Sequence, residues 1–185
     1  MSDDFEHVAA TCNLLASGDL SRIPDHLYRW HGSAERPWAF LDLFEEMGGE
    51  DGAAFWRLVA KLWSGFDAIP HDDFAAAFRR ARRAWTAAAM KAEDRAAFDA
   101  LSHLVTIYRG QDADAPLGLA WTLRPDVAEG FARGHRGIRH RRPAVMMAKV
   151  RRSSVAFVCT ERDEAEVVLF RPPARATVAP VPVAA

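Results

Sequence analysis

Apolar positions change their spacing about 100 residues into the chain, and the change divides it into two kinds of structure. In the first part they recur at three- and four-residue intervals, the spacing that lines one face of a helix. Residues 4–15 carry this pattern, with Gly18 as a stop. Residues 37–47 repeat it through Trp38, Leu41 and Phe44 ahead of Gly48-Gly49, and residues 52–63 through Phe55, Trp56, Val59 and Leu62. The longest predicted helix starts after Pro70 and runs through Phe74, Phe78, Ala81 and Trp85; a last one covers residues 93–101. Alanine richness between Ala75 and Ala100 favours helix by intrinsic propensity. Five of the six tryptophans lie in this half, and aromatics at helical spacing predict a core.

From residue 104 the runs are short and rich in β-branched and aromatic residues, which predicts strands at Leu104–Tyr108, Val145–Val150, Val155–Cys159 and Val167–Phe170. Gly118 to Thr122 reads as a further strand or a turn. One helix, from Pro125 to about Arg133, interrupts the strands, and the tail 176–185 has room for one edge strand. The pattern predicts an α+β protein, with a helical region over residues 1–103 and a β-rich core over 104–185 in one compact unit.

Composition narrows the function classes. At 185 residues and a formal net charge of −1, the chain has neither the basic excess of a nucleic-acid binder nor an acidic tail. Cys12 and Cys159 are far apart, and the seven histidines show no HExxH or other metal-ligand spacing, so no metal is expected. The acidic start lacks the apolar core of a secretory signal, and no stretch is apolar enough to span a bilayer. The expectation is a soluble protein without membrane contact, in a reducing cytoplasm or delivered to one as an effector.

Three short signals carry chemistry. Tyr108-Arg109-Gly110 ends the first strand, where an arginine fork suits phosphate and a glycine allows close backbone approach. Ala120-Trp121-Thr122 leads into the helix; Thr122 can bond a carboxylate, and Trp121 either stacks on a ligand ring or packs beneath the helix with Phe131. Glu164-Ala165-Glu166 opens the strand-like run Val167–Phe170, and alternation along a strand would put both carboxylates on one face. Such a pair suits a cationic, oxocarbenium-like transition state and the activation of an incoming nucleophile. Taken singly, each has a plain structural reading: a strand-end arginine, a packed tryptophan, a solvated acidic edge.

In this order the motifs resemble the arginine-serine-glutamate branch of the ADP-ribosyltransferase superfamily, over residues 104–180. The resemblance implies a split, mixed β-sheet core behind the helical half. It also implies cleavage of the nicotinamide–ribose bond of NAD, with NAD as substrate. By position, Tyr108 and Arg109 would bind the cofactor, with Arg109 on its phosphate or ribose, and Gly110 would receive the nicotinamide amide. Trp121 and Thr122 would complete the cofactor side. Glu166 would be the catalytic glutamate, and Glu164 would position or activate a macromolecular acceptor, a protein arginine by the glutamate at that place. One departure is clear: Ala120 and Trp121 stand where the family has its serine, leaving Thr122 as the nearby hydroxyl.

The basic segment Arg133–Arg142 suggests phosphate contacts to NAD or to nucleic acid, although no aromatic residues interleave it to stack on bases. The ranked expectations are a mono-ADP-ribosyltransferase with water as a variant acceptor, then a non-catalytic binder of NAD or a protein, then a basic-loop nucleic-acid module.

Overall fold

The computed structural model describes residues 2–134 and 139–180. The fold is α+β, and the chain divides into two compact units, Met1–Ala89 and Met90–Ala185.

The first unit is helical. Its helices are α1 (Ser2–Ser17), α2 (Ile23–Trp30), α3 (Arg36–Glu46), α4 (Gly52–Leu62) and α5 (His71–Arg80). Asp51 starts α4 by accepting from the amides of Ala53 and Ala54 at 3.0 and 2.9 Å, which satisfies two donors that have no partner within the helix. The core is aromatic: Phe40, Phe44, Phe55, Trp56, Trp63, Phe66, Phe74 and Phe78 are all buried and in ring contact. Each such side chain removed from water contributes roughly 1.5–3 kcal/mol before entropy is counted.

Three expectations need correction here. Trp38 is half-exposed, because α3 turns Pro37, Phe40, Leu43 and Phe44 inward instead. The long helix ends at Arg80; the chain tightens into a 3-10 turn over Ala81–Ala84, where the Ala81 carbonyl accepts the Trp56 indole N–H at 2.9 Å. Helix α2 was not expected, since Asp25, His26, Tyr28 and Arg29 interrupt its pattern. Buried Ile23 and Leu27, one helical turn apart, hold it in place. The arginines from Arg79 to Arg83 lie on the solvent side, as their spacing against Phe74 and Phe78 suggests.

The second unit carries α6 (Ala92–Asp99), β1 (Leu104–Asp112), β2 (Ala120–Thr122), α7 (Pro125–Ala132), β3 (Pro143–Arg151), β4 (Val155–Cys159), β5 (Glu166–Leu169) and β6 (Thr177–Pro180). Helix α6 belongs with this sheet: buried Asp94 accepts from the Thr160 amide and hydroxyl, both at 2.8 Å, at the end of β4. Lys91, just before α6, pairs with Glu161 beyond it.

The six strands form one sheet in the order β4-β5-β2-β1-β3-β6. Every ladder is antiparallel, which corrects the expectation of a mixed sheet. Strand β1 also runs four residues beyond its expected end at Tyr108. The long ladder with β3, from Leu104↔Arg151 to Asp112↔Pro143, carries it through Gly110. On its other side β1 meets β2 at a single position, Tyr108↔Thr122, so the sheet is narrowly joined at its centre. Strand β6 lies at one edge, as the tail composition suggests. Among the described residues no helix is long and apolar enough to cross a membrane.

Candidate functional site

Antiparallel partners share a sheet face, so the register shows which motif residues meet. Tyr108 pairs with Thr122, Thr122 with Glu166, and Glu166 with Cys159. Residues from all three motifs therefore stand in one transverse row, crossing the narrow joint between β1 and β2. Their sequence separation is large; only the ladders bring them together.

Arg109 is on the opposite face of β1, beside Val105 and Ile107, which are buried. Its guanidinium is densely surrounded, although the residue as a whole is only half-buried. Its Nε donates to Gln111 Oε1 at 2.7 Å, and its Nη1 reaches across the joint to the Ala120 carbonyl at 2.6 Å. Gln111 is itself buried and donates to the Ala115 carbonyl at 2.8 Å, which fixes the acceptor that holds Arg109. Burial pulls the Arg109 pKa down to about 10, and the nearby Glu166 charge opposes that shift. At neutral pH the group keeps its charge. Gln111 was not among the expected site residues, yet it stands two positions from Arg109 and so on the same strand face.

Gly110 has a packing role that the sequence did not reveal. A Cβ there would collide with the Ala128 carbonyl and the Ala132 amide of α7, and would lie 2.9 Å from Phe131 Cβ. The backbone of α7 thus occupies the side from which a ligand would approach a bare glycine face. Ala128 and Ala132, both buried, let the helix come this close. For Gly110 this contact takes the place of the expected nicotinamide seat on that face.

Trp121 is 2 % exposed and donates its indole N–H to the Gly118 carbonyl at 2.9 Å, so its ring is buried within the protein. The Thr122 hydroxyl is buried. It donates to the Glu164 main-chain carbonyl at 2.6 Å and accepts from the Arg124 amide at 3.0 Å, tying the ExE turn to the residue that opens α7. Its partner at the glutamates is thus the backbone of Glu164.

The two glutamates do not share a strand. Glu164 has helical backbone angles (φ −89°, ψ −10°), and β5 begins only at Glu166. Between them Ala165 has φ 44°, and Arg162 and Asp163 have φ 67° and 54°. Left-handed backbone at three non-glycine residues costs of order 1–3 kcal/mol each. The alternation rule that put both carboxylates on one face requires extended backbone, so it fails here. Glu164 instead borders a pocket of about 420 Å³ with Arg124, Val127 and Phe131 of the α7 segment and with Arg162 and Asp163. Arg124 bridges Asp126 at 2.6 Å and Asp163 at 3.0 Å, bracing one wall.

Cys159, at the end of the transverse row, is buried; burial first, and the Glu166 charge second, push its thiol up to about 12. It behaves as an apolar side chain. Part of the basic segment Arg133–Arg142, residues 135–138, lies outside the described residues. In the described part, Arg142 pairs with Asp114 at 2.6 Å and Arg133 with Glu129 at 3.4 Å, so two of its charges already face carboxylates.

Comparison of the chain with protein-family models, with curated proteins and with solved structures gave no match.

Proposed function

We propose that the second unit binds NAD and that the protein is a mono-ADP-ribosyltransferase. The observation that carries this reading is the alignment of Glu166, Thr122 and Tyr108 in one cross-sheet row. In the reaction, the C–N bond between ribose and nicotinamide breaks and its electron pair leaves with the nicotinamide ring. Glu166 stabilises the positive charge that develops on the ribose, at a preorganised site where such stabilisation is worth most. A macromolecular nucleophile then bonds to the ribose carbon, and Glu164 takes its proton. The pocket beside Glu164 carries Arg124 and Arg162 as well as Asp163, and an acceptor such as a protein arginine would approach Glu164 there. The left-handed turn at Ala165 separates the two carboxylates, so in this reading Glu166 acts from the strand and Glu164 from the pocket.

A second reading has its own support. The Thr122 hydroxyl is committed to main-chain groups, two Arg109 nitrogens are committed to Gln111 and Ala120, and Ala120 stands where the family has serine. A protein so arranged would bind NAD or a partner without transfer. A nucleic-acid role for Arg133–Arg142 ranks third, and predicts salt-sensitive binding indifferent to NAD.

Nicotinamide release from NAD, measured for the parent chain and Glu166→Gln with cell lysate as acceptor, separates these readings. The transferase predicts release with label passing to macromolecules, reduced about 10²–10³-fold in the variant. Release without label makes water the acceptor. Saturable NAD binding with no release from either chain establishes the binder.

A further inference from the structure

The helical unit brings three histidines together from two helices. His7 is on α1, His26 lies in the middle of α2, and His31 follows the last turn of α2. The extended backbone of His31 (φ −126°, ψ 137°) turns it back toward the other two. One ring nitrogen from each can be chosen so that all three lie within 4.8 Å of one another. The ring centroids are 5.0, 5.7 and 5.9 Å apart.

Zinc–nitrogen bonds of about 2.0–2.1 Å in a tetrahedron place donor nitrogens about 3.4 Å apart and ring centroids roughly 5 Å apart. The cluster needs side-chain rotation of under about 1 Å per ring to reach that geometry. His7 and His31 are half-buried, so part of each ring meets solvent; His26 is buried. The surroundings resemble a second shell. Thr11, one turn after His7 on the same face of α1, donates its only hydroxyl proton to the His7 carbonyl at 3.0 Å. Its oxygen therefore accepts from His26 Nε2 at 3.3 Å, which leaves the lone pair of His26 Nδ1 for a metal ion. Trp30 stacks on the His7 ring (5.3 Å, 17°) and limits its swing. Of the charged neighbours, Arg22 and Arg36 oppose a cation, while Glu35 beside His31 favours one.

A reason for the cluster lies in α1 itself. Leu14 is its one buried apolar side chain among those described, while Phe5 and Val8 are exposed. Packing alone gives this helix little to hold it to α2.

We propose that His7, His26 and His31 form a binding site for a divalent transition metal, zinc by preference, that fastens α1 to α2. Three neutral imidazoles without a thiolate or a carboxylate in the set suit zinc, and three protein ligands leave the fourth tetrahedral position for water or an added ligand. The site is in the helical unit and is independent of the NAD reaction proposed for the other.

The test uses the full chain without a polyhistidine tag, stripped with EDTA and titrated calorimetrically with zinc chloride. A cobalt(II) titration is read in parallel by its visible absorption. The expected result is one zinc per chain, intense tetrahedral-type cobalt bands, and affinity reduced at least about 100-fold in His7→Gln and His26→Gln. Thr11→Val should lose about 10–100-fold as an outer-shell change, and His71→Gln and His103→Gln should bind like the parent. Because His7 is half-buried, His7→Gln keeps the variant series informative should His26→Gln fail to fold; circular dichroism reports which do. No saturable binding by the parent, or parental affinity in His7→Gln, overturns the site.

Discussion

Replacing Gly110 with alanine tests the contact on which the candidate site is built. The added Cβ would sit 2.9 Å from Phe131 Cβ, and nearer still to the Ala128 carbonyl and Ala132 amide. Packed heavy atoms are roughly 3.5 Å apart, and the carbonyl and amide clashes are the tighter ones, so α7 must withdraw by more than about 1 Å. The obstruction is helix backbone and cannot swing aside as a flexible side chain would. Overpacking of this kind costs about 1–3 kcal/mol, and a rigid obstacle puts it toward the upper end. Alanine recovers about 0.5–1 kcal/mol of the backbone entropy that glycine loses in a strand. The net expectation is a loss of about 2 kcal/mol. With a urea slope of about 2 kcal/mol/M, the midpoint falls by about 1 M. Circular dichroism and total tryptophan emission follow the melts. Gly130→Ala is the matched control on the same helix. A Cβ there meets nothing within 4 Å, and alanine should stabilise the helix by up to about 1 kcal/mol. The two variants should move the midpoint in opposite directions. Gly110→Ala as stable as the parent would refute the close-packing account, as would equal losses in both.

Thr122→Val keeps the shape but strands the Glu164 carbonyl and the Arg124 amide, and should cost about 1–3 kcal/mol in thermal or urea unfolding. Asp94→Ala leaves the Thr160 amide and hydroxyl without their buried acceptor; it should cost a similar amount, with Asp94→Asn recovering part of it in the same assay. Cys159 is protonated up to about 12 in the folded chain against an ordinary 9.0, so a thiol reagent at pH 8 should label Cys12 alone in native protein and both cysteines after unfolding. The same raised pKa means the unfolded chain loses its proton first. The contribution of this thiol to stability is therefore complete below pH 9 and lost as pH rises toward 12, which urea melts across that range would read.

How much was legible depended on the range of the interaction. The sequence limits of the strand Val155–Cys159 match the observed ones, and those of the helices at residues 37–47, 52–63 and 93–101 match to within two residues, because each has a local hydrophobic period. Helix α2 is not legible, since its polar residues dilute a two-residue apolar signal, and the pattern runs past the end of α5 because nothing local marks the Trp56 indole that meets Ala81. At the candidate site the motifs are legible in the sequence and the orientation of their side chains is not. Glu164 departs from the expected face because Ala165 takes a left-handed conformation that an alanine gives no reason to expect.

The sequence by itself determined the order and type of most elements, the α+β class, and the three motifs from which the NAD reading starts, since all of these follow from spacing over a few residues. Tertiary structure alone decided the antiparallel pairing, the single-position joint between β1 and β2, and the row from Tyr108 to Glu166. It also decided that Gly110 serves α7 and that His7, separated in the chain from His26 and His31, meets them. Those outcomes depend on which distant segments satisfy one another's backbone and fill one another's gaps, and a local period carries no information about a partner many residues away.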